Sequence, residues 1–298
     1  MDQAGILREY AGNAGVTGGR DASTGRSKKS GVRVIAVTSG KGGVGKTNIA
    51  ANLAYLFSMQ GKRVLLLDAD AGLANIDVLL GIAPRYNLCH VLRGEKTLSD
   101  VVVRGPGGVM IVPAASGIQE MAELSRGHKM TLIEELECFG EKPDIMVIDT
   151  AAGINGNVTY FNMAANEIIV VLSPDPTSLT DAYALIKVLN RGYAIRDFLV
   201  MVNMARSAEE AMRVFSRLSA ATDRFLDLRV EYLGYVGYDR IVTESVRQQA
   251  LFTEMYPSTR ASRLLGAIAD TLMNDRKSRS DEPGMLKFFG NAVITGNE

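Results

Sequence analysis

From Val32 onward the chain sets short, continuous apolar runs between longer segments of helical periodicity. VRVIAVTS (32–39), RVLLLD (63–68), VMIVPA (109–114), DIMVIDT (144–150), EIIVVLS (167–173), FLVMVN (198–203) and VEYLGYV (230–236) read as strands. Their apolar positions are mostly consecutive rather than alternating, as in strands buried on both faces. The stretches 46–60, 117–139, 177–191 and 207–226 are long enough for crossover helices, and a last helix spans about 258–275. The pattern predicts an α/β fold, a doubly wound, mostly parallel sheet with helices on both faces.

Four segments follow from the shifts in pattern. Residues 1–10 predict a short helix with Ala4 and Leu7 on one face. Residues 11–31 are rich in Gly, Ser, Thr and basic residues and predict a flexible tether, with Arg20, Arg26, Lys28, Lys29 and Arg33 solvated rather than forming a DNA patch. Residues 32–275 form the globular domain, where Met212 and Phe215 are expected in the core. Residues 276–298 hold a polar spacer and then an apolar cluster, MLKFFGNAVI (285–294). On a helix Met285, Phe289 and Val293 share one side, flanked by Leu286 and Phe288.

Composition narrows the class. Lys plus Arg and Asp plus Glu both number 33, so no global field draws the chain to nucleic acid. Cys89 and Cys138 form no close pair, which argues against a disulfide framework or a CxxC site. His90 and His128 stand apart from other ligand types, so no metal is assigned to them. The start has an early acid and no long apolar core, and no run is long enough to span a bilayer; a cytoplasmic protein is expected.

The strongest chemistry is TSGKGGVGKTN (38–48). Gly40 to Thr47 matches GxxxxGK[ST], between a buried strand and a helix. Gly42, Gly43 and Gly45 let backbone N–H groups surround phosphates, and the helix start adds its positive end. Lys46 would pair with the β- and γ-phosphates, and the Thr47 hydroxyl would ligate Mg²⁺. The predicted ATP site comprises Gly40, Lys41, Gly42, Gly43, Val44, Gly45, Lys46, Thr47 and Asn48. Lys41 exceeds what one phosphate loop needs. Either it is a solvated lysine or it points toward a second molecule, to act in trans as an arginine finger does. Asp68, Asp70 and Asp149 stand at strand ends, where carboxylates either hold Mg²⁺ through its waters or cap helices.

KGGVGKT resembles the deviant P-loop of the MinD/ParA family of ATPases, whose early lysine works across an ATP-sandwiched homodimer. The resemblance implies that Lys41 and Lys46 are catalytic and that Asp70 orients the attacking water. It makes Asp68 and Asp149 magnesium-side residues, Asp149 at the Walker B position. It implies a second switch at DTAAGI (149–154), with Gly153 as its pivot. It makes Asn203 the adenine reader, a turn-forming asparagine being the alternative. In the wall GYVGYD (234–239), Gly237 replaces the family's proline, which puts the wall's rigidity in question.

DADAGLANIDVLLG (68–81), DTAAGI and VRQQALFTEMYPSTRAS (246–262) resemble the FlhG/FleN branch, regulators of flagellar number and placement. DQAGILR (2–8) is similar to that branch's DQAxxLR activator motif. It implies that Asp2, Gln3, Ala4, Leu7 and Arg8 dock on an FlhF-type GTPase of the signal-recognition-particle class, Gln3 assisting GTP hydrolysis. The apolar tail resembles a membrane-targeting helix, implying peripheral residence on the inner membrane when ATP is bound. A flagellar transcription regulator or basal-body component is a further expected partner. The rival readings are a MinD- or ParA-type positioner, an iron–sulfur carrier (which would need paired cysteines) and a non-catalytic binding module.

Overall fold

A computed structural model describes residues 31–70, 75–114, 123–226 and 228–274. The activator motif, the tether up to residue 30 and the apolar tail segment lie outside the described residues.

The sheet is built from β1 (Arg33–Ser39), β2 (Val64–Ala69), β3 (Val103–Arg104), β4 (Met110–Val112), β5 (Ile145–Ala152), β6 (Glu167–Leu172), β7 (Phe198–Ala205) and β8 (Val230–Gly237). Its order is β3-β4-β2-β5-β1-β6-β7-β8, and every pairing is parallel except β3 with β4. β3 has two residues, too few to show any periodicity in the sequence.

The continuous apolar runs have a direct cause. Val34, Ala36, Met146 and Ile148 face one core, under α3 (Leu88–Leu92), α4 (Leu98–Val101), α5 (Arg126–Cys138), α6 (Gly156–Ala164), α7 (Pro176–Tyr193) and α8 (Ala208–Leu226). Their neighbours Ile35, Val37, Ile145 and Val147 face the other core. That side is covered by α1 (Lys46–Met59), α2 (Ile76–Leu80), α10 (Phe252–Met255) and α11 (Arg260–Asn274). α9 (Arg240–Arg247) lies between β8 and α10 in the chain. Because helices cover both faces, both sets of strand side chains are withdrawn from water, and no polar alternation survives.

Two expectations need correction. The helix expected over 117–139 begins at Arg126, because Ser125 caps it and accepts a hydrogen bond from the His128 N–H at 3.2 Å. Met212 is not core: it is 45% exposed on α8, while Phe215, three residues on, packs its ring 5.0 Å from Tyr232. Among the described residues no helix is long and apolar enough to cross a membrane.

Candidate nucleotide-binding site

β1 lies at the centre of the sheet, between β5 and β6, and the glycine-rich loop leaves its carboxyl end. Such a crevice, where connections diverge to both sides, is the usual ligand site of this architecture. The loop is packed too closely for side chains at two glycines. A Cβ on Gly40 would lie 2.1 Å from the Asp181 carbonyl oxygen. One on Gly45 would lie 2.4 Å from Asn203 Nδ2, and Gly45 also has φ of +84°, which costs a side-chain-bearing residue strain. α1 then starts at Lys46 with no side-chain cap and no acid in its first turn. Its unpaired N–H groups and positive dipole end are therefore available to an anion. They border a cavity of about 860 Å³, lined also by Lys41, Asp70, Asn203, Gly237 and Val242.

β2 and β5 pair in register, so Asp68 and Asp149 are direct neighbours. Lys46 Nζ lies 2.7 Å from Asp149 Oδ1, and both side chains are buried. Asp149 Oδ2 is buried without a hydrogen-bond partner. A buried carboxylate oxygen in that state is costly, and a cation-bound water would satisfy it. The chemistry of this donor set fits a hydrated magnesium ion beside a nucleotide's phosphates. Burial, and then the neighbouring Asp149 charge, push the Asp68 carboxyl up to about 8. Burial likewise raises Asp149, against the pull of Lys46 and Thr47. Asp68 also organises the chain after β2. Its Oδ1 accepts from the Asp70 N–H at 3.1 Å, and its Oδ2 accepts from the N–H groups of Asn75 and Ile76, each at 3.3 Å. That aims Asp70 at the cavity and starts α2.

Within its own chain Lys41 Nζ donates to Asp175 Oδ2 at 2.6 Å and to Thr177 Oγ1. Asp175 also caps α7, accepting from the Thr177 N–H at 2.9 Å. The Lys41 hydrogen bond and these capping bonds pull the Asp175 carboxyl down to about 2. The pair is solvated, so the contact exchanges easily. Asp175 and Thr177 were not singled out from the sequence; they lie 134 and 136 positions from Lys41, and no local signal links them.

Asn203 braces the loop: its Nδ2 donates to the Val44 carbonyl at 2.8 Å and its Oδ1 accepts from the Met204 N–H at 2.9 Å. These two bonds use one of the two amide hydrogens and one of the two carbonyl lone pairs. At Gly237 a Cβ would meet only the Ala205 carbonyl, at 3.6 Å. The wall there is held by the Tyr238 N–H, which donates to that same carbonyl at 2.9 Å. In the second switch, the Gly153 N–H donates to the Ser39 carbonyl at 2.9 Å, tying it to the end of β1.

A model of the AAA domain family matches residues 32–197. The antiactivator FleN of Pseudomonas aeruginosa is 46% identical over 263 residues, covering 88% of this chain and 94% of that protein. The chain belongs to the FlhG/FleN branch of the MinD/ParA ATPases. The flagellum site-determining protein YlxH of Helicobacter pylori is 32% identical, with 88% of this chain and 90% of that one covered. The fold has a solved counterpart in the septum site-determining protein MinD of Pyrococcus horikoshii, complexed with Mg-ADP. That likeness has a TM-score of 0.67 at 24% identity and covers 84% of this chain and 100% of the other. As a FlhG/FleN-branch P-loop ATPase, this chain carries the doubly wound fold that its apolar runs predict.

Proposed function

We propose that this ATPase is an ATP-gated dimerising switch that controls flagellar number and placement. The observation that carries the reading is the second lysine at the mouth of the loop, held by one solvated carboxylate. The names of its relatives, an antiactivator FleN and a flagellum site-determining YlxH, supply the flagellar context.

Bound magnesium would supply charge neutralisation at the β- and γ-phosphates. The chain's residues do the rest. Lys46 would leave Asp149 for the phosphates, and the Thr47 hydroxyl with the carboxylates of Asp68 and Asp149 would hold the metal and its waters. Asp70 orients a water for attack on the γ-phosphorus and accepts its hydrogen bond, giving ADP, phosphate and a proton. Lys41 exchanges Asp175 for the phosphates of a facing copy, and loss of the γ-phosphate reverses the exchange.

Two appended segments complete the proposal. Residues 2–8, through Asp2, Gln3, Ala4, Leu7 and Arg8, engage an FlhF-type GTPase, and Met285, Leu286, Phe288, Phe289 and Val293 engage the inner membrane face. A dimer carries two tails, so weak single-copy membrane affinity becomes firm only with ATP.

Lys41→Ala tests the central step. It should keep nucleotide affinity within about threefold, yet lose ATP-dependent dimerisation in size exclusion with light scattering, with hydrolysis falling by about 10³-fold or more. A Lys41→Ala protein that still dimerises and turns over normally overturns the role in trans. Deleting residues 1–10 should abolish stimulation of the FlhF GTPase and spare ATP hydrolysis. Equal stimulation by the truncated protein removes that assignment.

A further inference from the structure

Asn48 lines the nucleotide cavity one residue beyond Thr47, and its side chain is gripped from behind. Asn52, one turn further along α1, donates from Nδ2 to the Asn48 carbonyl and to Asn48 Oδ1, at 2.8 Å each. Asn52 Oδ1 accepts from the Thr253 N–H at 3.1 Å and from Thr253 Oγ1 at 2.7 Å. Asn52 and Thr253 are both buried.

The Thr253 N–H fixes the polarity of the whole chain of bonds. A peptide N–H only donates, so the Asn52 atom facing it is the oxygen. The other end of that amide is then nitrogen, and the Asn48 atom facing it is the oxygen. Asn48 keeps its Nδ2 hydrogens for the remaining direction, and Nδ2 makes no hydrogen bond among the described residues. An isolated asparagine amide turns over at almost no steric cost, and the wrong face would set an oxygen against the nucleotide's own oxygens. Asn52 removes that choice.

We propose that Asn52 and Thr253 are positioning residues that hold Asn48 with its amide N–H groups toward the nucleotide. Lys46 and Thr47 serve the terminal phosphates and Asn203 stands on the base side, so Asn48 meets an oxygen between them, on the α-phosphate or the ribose. The inference rests on reading the cavity as the ATP site. It also gives a task to the stretch 246–262, whose sequence had no assigned role. Thr253 sits in α10, and the turn that follows is pinned by Ser262. Its Oγ donates to the Phe252 and Tyr256 carbonyls at 3.2 and 2.7 Å. α11 thereby steadies a residue that acts on the phosphate-loop helix, 201 positions earlier in the chain.

The test is calorimetric titration of ADP with magnesium into the full-length protein, as a double-mutant cycle. Asn52→Leu should weaken ADP binding by about 3–10-fold, one polar contact's worth, while Thr253→Val, which keeps the polarity-setting N–H, should stay within about twofold. In an Asn48→Ala background neither Asn52→Leu nor Thr253→Val should cost anything further, because the contact they position is already gone. Should Asn52→Leu not fold, Asn52→Ala carries the same cycle. Wild-type affinity in the Asn52 variant, or an equal loss with and without Asn48, overturns the relay while leaving the ATP site intact. No ADP binding by the wild-type protein overturns the reading of the cavity and the relay together.

Discussion

Asp70→Ala should slow ATP hydrolysis by about 10²–10⁴-fold and leave an ATP-bound dimer that no longer comes apart. The geometry separates the two outcomes. The Asp70 side chain borders the cavity, but the local chain is held through its backbone N–H on Asp68 Oδ1, which alanine retains. Under the proposed scheme phosphate binding rests on the loop, Lys46 and the α1 start, whose residues the substitution leaves unchanged. Single-turnover hydrolysis gives the rate, and light scattering with ATP and with ADP gives the assembly state. A solitary Asp70→Ala protein in saturating ATP would sink the switch, because the ATP-loaded form would then not be the associating one.

Lys46→Met should act on stability before any nucleotide is added. Lys46 and Asp149 form a buried pair at 2.7 Å, and the apolar side chain leaves the carboxylate enclosed without its cation. Breaking one half of a buried pair costs about 3–5 kcal/mol, which for a domain of this size lowers the melting temperature by roughly 6–20 °C. ATP binding should vanish as well. Lys46→Met with Asp149→Asn should recover most of the melting temperature by removing the stranded charge, and should still fail to bind ATP. A Lys46→Met protein that melts with the wild type would mean that Asp149 finds another partner.

The sheet was legible because apolar residues are continuous where helices cover both faces, as at Ile145–Ile148. The phosphate loop was legible because its chemistry needs glycine and lysine at fixed spacing in adjacent residues. The remaining features are set by tertiary contact. The short helix α6 hides its role behind buried Asn157, Thr159 and Asn162, which look like loop residues in one dimension. In α5 the sequence offered helical periodicity from 117, and a single serine oxygen at 125 settles where the helix begins. Met212 follows a helical apolar period yet faces outward, since α8 buries a narrower stripe through Ala211, Val214 and Leu218. At the site, Lys41 meets Asp175 and Thr177 within its own chain, a contact between positions too far apart for any local pattern to signal.

That last contact bears on fidelity. Under the proposed scheme the cross-subunit lysine starts out sheathed, and a newcomer must outcompete Asp175 for it. A spent diphosphate presents less charge to that contest than a triphosphate does, so encounters between ADP-loaded copies stay fruitless. On that scheme the carboxylate would discriminate between fresh and exhausted fuel, and its strength would set how faithfully assembly reports the cell's energy supply.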